Sequence, residues 1–179
     1  MNYLWIDMEM SGLDVQKCKI LEVAAIVTDS RFNPRENYHA VVHQEPEVLA
    51  AMDEWCTKTH GESGLTAAVA GGVPLRQAEE QLLSILEKYF PPGERPILAG
   101  NSIGQDRKFI DAYMPRLANR LHYRMVDVSS FKIIFQDLYH VRYEKRGTHR
   151  ALDDILESIA ELKLYLSHVS PPASPTTSA

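Results

Sequence analysis

No apolar run in the sequence is long enough to cross a bilayer as a helix. There is no signal-peptide layout either, because the first apolar run already carries Asp7 and Glu9. Cysteine is scarce. The two present, Cys18 and Cys56, match no zinc spacing and are expected to be free thiols in a reducing compartment. Positive charge is not in excess: 19 Lys and Arg stand against 24 Asp and Glu, a formal net charge of −5. A protein that grips long nucleic acid by neutralising many phosphates carries a basic stripe, and none is visible. A phosphate-bearing ligand would have to be short, or be met by metal ions. Internal repeats are also missing.

What is present suits a single domain with a substantial core: 179 residues, 45% of them hydrophobic. Residues 3–10 read as a strand, 19–29 as a second and 37–43 as a third, with connections short enough for an antiparallel meander. Short helical pieces are expected near 47–57 and 64–70. A longer amphipathic helix is expected over 74–90, with Pro74 in its first turn. Strands at 97–101 and 123–128 then alternate with helices at 104–114 and 129–139, and a last helix covers 150–167. This order predicts an α/β fold with a mixed five-stranded sheet flanked by helices, three antiparallel strands followed by two parallel ones. The domain is expected over 1–167. Residues 168–179, rich in Pro, Ser and Thr, are expected to be a disordered tail.

The chemistry is concentrated in a few acids. Strand alternation puts Tyr3, Trp5, Asp7 and Glu9 on one face and Leu4, Ile6, Met8 and Met10 on the other. Two carboxylates on a buried strand repel each other and lose hydration. Hard divalent cations answer both problems, since they prefer oxygen ligands. A solvent-facing edge strand with two incidental acids is the plainer alternative, and the apolar neighbours argue against it. Asp106 falls on the same helical side as Phe109, Ile110 and Tyr113, so it points inward; an acid favoured at a helix N-terminus is its simpler reading. In "THRALDDILESIAEL", His149 precedes the last helix and Asp153 and Asp154 occupy its first turns. Leu152, Ile155, Leu156 and Ile159 form the apparent apolar stripe, with Asp154 beside Ala151 and Ser158. Periodicity alone does not choose between the two aspartates.

Together these residues resemble the DEDDh 3′→5′ exonucleases of the ribonuclease H-like superfold. The matching positions are Asp7, Glu9, Asp106, His149 and Asp154, and the family's His-x4-Asp spacing selects Asp154. The stretches "WIDMEMSGLD", "GNSIGQDRKFIDAYMP", "HYRMVDVSS" and "GTHRALDDILESIAEL" are similar to the oligoribonuclease branch of that family, as is "DEWCTKTHGESGL". The resemblance runs from about residue 3 to 167.

The resemblance implies two divalent cations, Mg²⁺ or Mn²⁺, held by Asp7, Glu9, Asp106 and Asp154, with His149 as general base. It implies a substrate of very short RNA, dinucleotides above all. Leu13 would press on the bases, and Trp55 and His60 would help form the pocket. Ser102, Arg124, Ser129 and Lys132 would surround a 5′ phosphate. Tyr123 would reach the site of a second subunit in a homodimer. No membrane partner is implied, and the compartment would be the cytoplasm, or also the mitochondrion in a eukaryote. A DEDDh enzyme for longer DNA or RNA would call for a basic surface. A catalytically dead binding protein would have lost one of the five residues, and all five are present.

Overall fold

The computed structural model describes residues 1–144 and 150–169. Five strands form one sheet: β1 (Tyr3–Met10), β2 (Ile20–Thr28), β3 (Pro34–Val41), β4 (Ile97–Gly100) and β5 (Met125–Asp127). Their spatial order is β3-β2-β1-β4-β5. The β1–β2 and β2–β3 pairs are antiparallel; β4 lies parallel to β1 and β5 parallel to β4. This is the expected mixed sheet. β3 starts earlier than its alternation suggested, at Pro34. It is an edge strand, where a missing N–H is tolerated. β5 is shorter than expected, chiefly at its start, where the Arg124 N–H turns to His122 Nδ1; at its end Asp127, still paired with Gly100, also caps the following helix, so Val128 is helical.

The sheet is covered on both faces. Leu4, Ile6 and Met8 of β1 and Val23, Ala25 and Val27 of β2 pack against α4 (Leu75–Tyr89), α5 (Gly104–Tyr113) and α6 (Pro115–Ala118). Trp5, Ala24, Ile26 and Ala99 face the other way, onto α7 (Val128–Leu138) and α8 (Ala151–Ser167). β2 therefore has no solvent face and every residue of it is buried, which accounts for its nearly unbroken apolar run. Three short helices, α1 (Pro46–Ala50), α2 (Glu54–Glu62) and α3 (Leu65–Val69), fill the excursion between β3 and α4. The expected piece at 47–57 is thus divided between α1 and α2.

Two helical details differ from expectation. Pro115 does not merely follow α5; it sits at the first position of α6, where its missing N–H has no intrahelical role. On α8 the buried face runs through Ala151, Ile155, Ser158, Ile159 and Leu162, while Leu156 faces solvent. The small side chains at 151 and 158 let α8 lie close over the sheet. That turn of the helix brings Asp154, not Asp153, toward β1. α8 ends at Ser167, where the last helix was expected to end. Residues 145–149, which include His149, and 170–179 of the expected tail lie outside the described residues.

Gly100 closes the joint between β4 and β1. A Cβ there would stand 2.8 Å from both the Ile6 carbonyl oxygen and Cδ1 of Ile103. The side chain of Ile103 can rotate away, but the strand carbonyl cannot. Gly100→Ala is expected to push β4 off β1 and destabilise the protein by about 1–3 kcal/mol in a urea titration. An unchanged midpoint would mean that the joint is loose.

Candidate active site

Asp7 and Glu9 leave β1 on the face covered by α8, as strand alternation requires. Asp154 descends from the first turns of α8. One carboxylate oxygen from each of the three lies within 4.8 Å of the others. The strand opposite explains why so much charge fits. Asp7 pairs across the ladder with Ala24, and Glu9 with Glu22. The alanine leaves room, while the glutamate adds further negative charge.

Glu9 feels this crowding most. Burial first, then the charges of Asp154, Glu22 and Asp106, push its carboxyl up to about 7, and Arg150 pulls the other way. His60 lies against it, with Nδ1 4.0 Å from Glu9 Oε2 and Nε2 hydrogen-bonded to the Met10 carbonyl at 2.9 Å.

Asp106 stands apart from the three. It is buried on α5, and its Oδ1 accepts the Met8 N–H at 3.0 Å. β4 pairs with β1 only as far as Trp5, so the Met8 amide lies beyond the end of that ladder and needs another acceptor. Burial pushes Asp106 up to about 7, against the Met8 hydrogen bond, and Asp127 adds to the rise. It remains close enough to raise Glu9 as well.

The donor set is entirely oxygen, half-buried and crowded with like charge. Such a set fits a hard divalent cation, which would relieve the repulsion among the carboxylates.

Beside Glu9 opens a cavity of about 420 Å³, lined by Met8, Met10, Gly12, Leu13, Asp53, Trp55 and Cys56. Leu13 is 76% exposed and Trp55 63%, uncommon values for large apolar side chains. Gln105 donates to the Leu13 carbonyl at 2.7 Å and holds that loop against α5. His60 takes a different place. It is 2% exposed, so it supports the floor behind Glu9 and does not line the cavity.

A second polar group lies where β4 and β5 end. Ser102 has a left-handed backbone, φ 52°. Its N–H is 3.0 Å from both Asp127 Oδ1 and Ser129 Oγ, and the two serine hydroxyls are 3.3 Å apart. Lys132 lies one turn further along α7. Arg124 and Tyr123 are exposed, with the guanidinium 5.2 Å from the Tyr123 ring centre. Arg107 donates to the His122 carbonyl and fixes this corner to α5.

Several residues went unnoticed in the sequence. Glu22 is fully buried and accepts from His39 at 2.6 Å and Arg150 at 3.1 Å, joining the start of α8 to β2. Buried Glu161 and Tyr165 form another set with half-buried Asn101. A charged residue inside "ILEVAAIVT" was a usable signal for Glu22. Nothing in local periodicity indicated its partner, 128 residues away.

A mixed sheet of this order, with carboxylates from its central strand and its last helix gathered on one face, is the fold of known exonucleases carrying an acidic cluster suited to a metal ion. The exonuclease family model matches residues 4–162. An oligoribonuclease of Francisella tularensis subsp. tularensis (strain WY96-3418) is 49% identical over 167 residues, covering 92% of this chain and 93% of the relative. One of Ectopseudomonas mendocina (strain ymp) is 48% identical over 172 residues, covering 93% and 95%. The chain belongs to the exonuclease family, within its oligoribonuclease branch. Among solved structures, the zinc-bound E. coli exonuclease I–single-stranded DNA complex superposes with a TM-score of 0.73 at 16% identity. That match covers 93% of this chain and 40% of exonuclease I, and it bears on the fold alone. Among the described residues, no helix is long and apolar enough to cross a membrane.

Proposed function

We propose that this protein is a 3′→5′ exoribonuclease that hydrolyses very short, 5′-phosphorylated RNA, from dinucleotides to about pentanucleotides, to 5′-mononucleotides. The observation that carries this reading is the carboxylate cluster of Asp7, Glu9 and Asp154, beside a cleft with Leu13 and Trp55 exposed on its wall. Its relatives named oligoribonuclease support it.

Asp7, Glu9, Asp106 and Asp154 would hold two divalent cations, Mg²⁺ or Mn²⁺. When bound, the cations supply water activation and charge relief at the leaving 3′-oxygen of an in-line displacement. His149 takes the proton of the attacking water as general base. Leu13 and Trp55 stack against the bases, with His60 supporting Glu9 from behind. Ser102, Arg124, Ser129 and Lys132 receive the 5′ phosphate. Tyr123, 72% exposed, reaches across to a second subunit's site in a homodimer. Exposed Ile133, Ile134 and Leu138 on α7 give such a dimer an apolar face. Two free thiols are consistent with a cytoplasmic site of action.

The functional reading is tested with pentanucleotide RNA and Mn²⁺. Release of 5′-mononucleotides starting from the 3′ end, abolished by EDTA, is the expected result; internal cleavage, or activity that survives EDTA, contradicts it. For the phosphate site, Arg124→Ala removes a charge-assisted contact. KM for pApA is expected to rise about 10- to 100-fold. Degradation of pApA at the parental rate and KM would show the phosphate to be held elsewhere.

A further inference from the structure

Two carboxylates in the core are completely buried, Glu22 and Glu161. Glu22 is answered by the charge of Arg150. For Glu161, on α8, the side-chain donors among the described residues are neutral. Oε2 accepts from Asn101 Nδ2 at 3.0 Å and Oε1 from the Tyr165 hydroxyl at 2.8 Å. Tyr165 is itself fully buried, its ring stacked 5.1 Å from that of Phe135. Burial and the neighbouring Glu161 push its hydroxyl up from its ordinary value, and that hydroxyl is the donor in this pair.

Stability alone does not explain this arrangement. A buried carboxylate is an expensive filling for a core, and an apolar side chain of similar size commonly serves as well. What the carboxylate adds is a fixed acceptor for Asn101. Asn101 directly follows β4 and directly precedes Ser102, whose left-handed backbone is costly for a residue with a side chain. That conformation aims the Ser102 N–H at Asp127 and Ser129 and brings the two serine hydroxyls together. The chain of contacts therefore runs from Tyr165 through Glu161 and Asn101 to the Ser102–Ser129 pair.

We propose that Glu161, buttressed by Tyr165, is a positioning residue for the 5′-phosphate subsite, acting through Asn101 on Ser102. This rests on the phosphate reading of Ser102 and Ser129 given above. The strut sets how well a terminal phosphate is received; it touches neither substrate nor the carboxylate cluster.

The test compares pApA with ApA, which lacks the 5′ phosphate, using the full-length protein with saturating Mn²⁺. Asn101→Ala, Glu161→Gln and Tyr165→Phe are measured beside the parent. Gln offers one acceptor oxygen where two donors need one each; Phe keeps the ring and removes only the hydroxyl. KM for pApA is expected to rise about tenfold in Asn101→Ala and Glu161→Gln, and less in Tyr165→Phe. Values of kcat, and KM for ApA, should stay within about twofold. If Glu161→Gln does not fold, Asn101→Ala and Tyr165→Phe decide the matter. A parent that prefers pApA, with variants that keep that preference or lose affinity equally for both substrates, overturns the inference alone. A parent that does not distinguish pApA from ApA overturns the phosphate reading, and the strut with it.

Discussion

Glu9→Gln is expected to lower turnover of pApA by about 10³-fold and, at neutral pH, to stabilise the metal-free protein. The loss of activity follows from the role proposed for the side chain. An amide is a neutral and weaker ligand, and the charge relief supplied by metal ions in phosphoryl transfer is worth several kcal/mol. The gain in stability follows from the electrostatics. Burial and three carboxylates push Glu9 up to about 7 in the fold, from an ordinary value of 4.5. Between those values the unfolded chain has released a proton that the folded chain still binds. Stability of the metal-free protein therefore falls as pH rises from about 4.5 through about 7. Gln has no proton to lose. The variant and the parent should melt alike near pH 4, with the variant melting higher above pH 7 when EDTA is present. Asp106, pushed up to about 7 by burial, adds a slope of the same sign that both proteins share. Added Mn²⁺ should raise the melting temperature of the parent much more than that of Glu9→Gln. A variant that is less stable than the parent at pH 8 without metal would mean that the cluster is not electrostatically strained.

His149→Ala is expected to reduce kcat by about 10²- to 10⁴-fold, the range for removal of a general base. KM for pApA and the affinity for Mn²⁺ should hardly change, since the proposed ligands are all carboxylates. The pH profile separates this from a general loss of structure. With saturating Mn²⁺ the carboxylates stay ionised, and the parent's kcat should fall toward acid pH as the imidazole protonates. That limb should vanish from the residual activity of His149→Ala. A variant that keeps the limb would assign the proton transfer to another group.

How much of this was legible in the sequence depends on the distance over which each feature is encoded. The face shared by Asp7 and Glu9 follows from alternation within one strand, and the structure has Trp5 and Tyr3 packed on that same side. The inward direction of Asp106 followed from helical spacing to Phe109 and Ile110. Its hydrogen bond to Met8 could not be foreseen, because it depends on how short β4 is. Asp154 was chosen by resemblance, not by periodicity. The expected apolar stripe holds at Leu152, Ile155 and Ile159 and fails at Leu156, which faces solvent; Ala151 and Ser158 pack inward as small residues and look neutral in a hydrophobicity pattern. Glu22 and Glu161 were passed over for a related reason. A lone acid in an apolar segment signals a polar partner, but Arg150 and Asn101 lie 128 and 60 residues away. The end of β5 was misjudged because "VDVSS" has strand composition while Asp127 spends its side chain on the cap of α7.

The acidic net charge of −5 sits easily with a substrate too short to need a basic track. The central claim is therefore a claim about length. It is tested most directly by incubating the protein with Mn²⁺ and an equimolar mixture of 5′-labelled RNAs of two, five and twenty nucleotides. The dinucleotide should disappear first, the pentanucleotide more slowly, and the twenty-mer should be left largely intact over the same interval. Preferential loss of the twenty-mer would contradict the account.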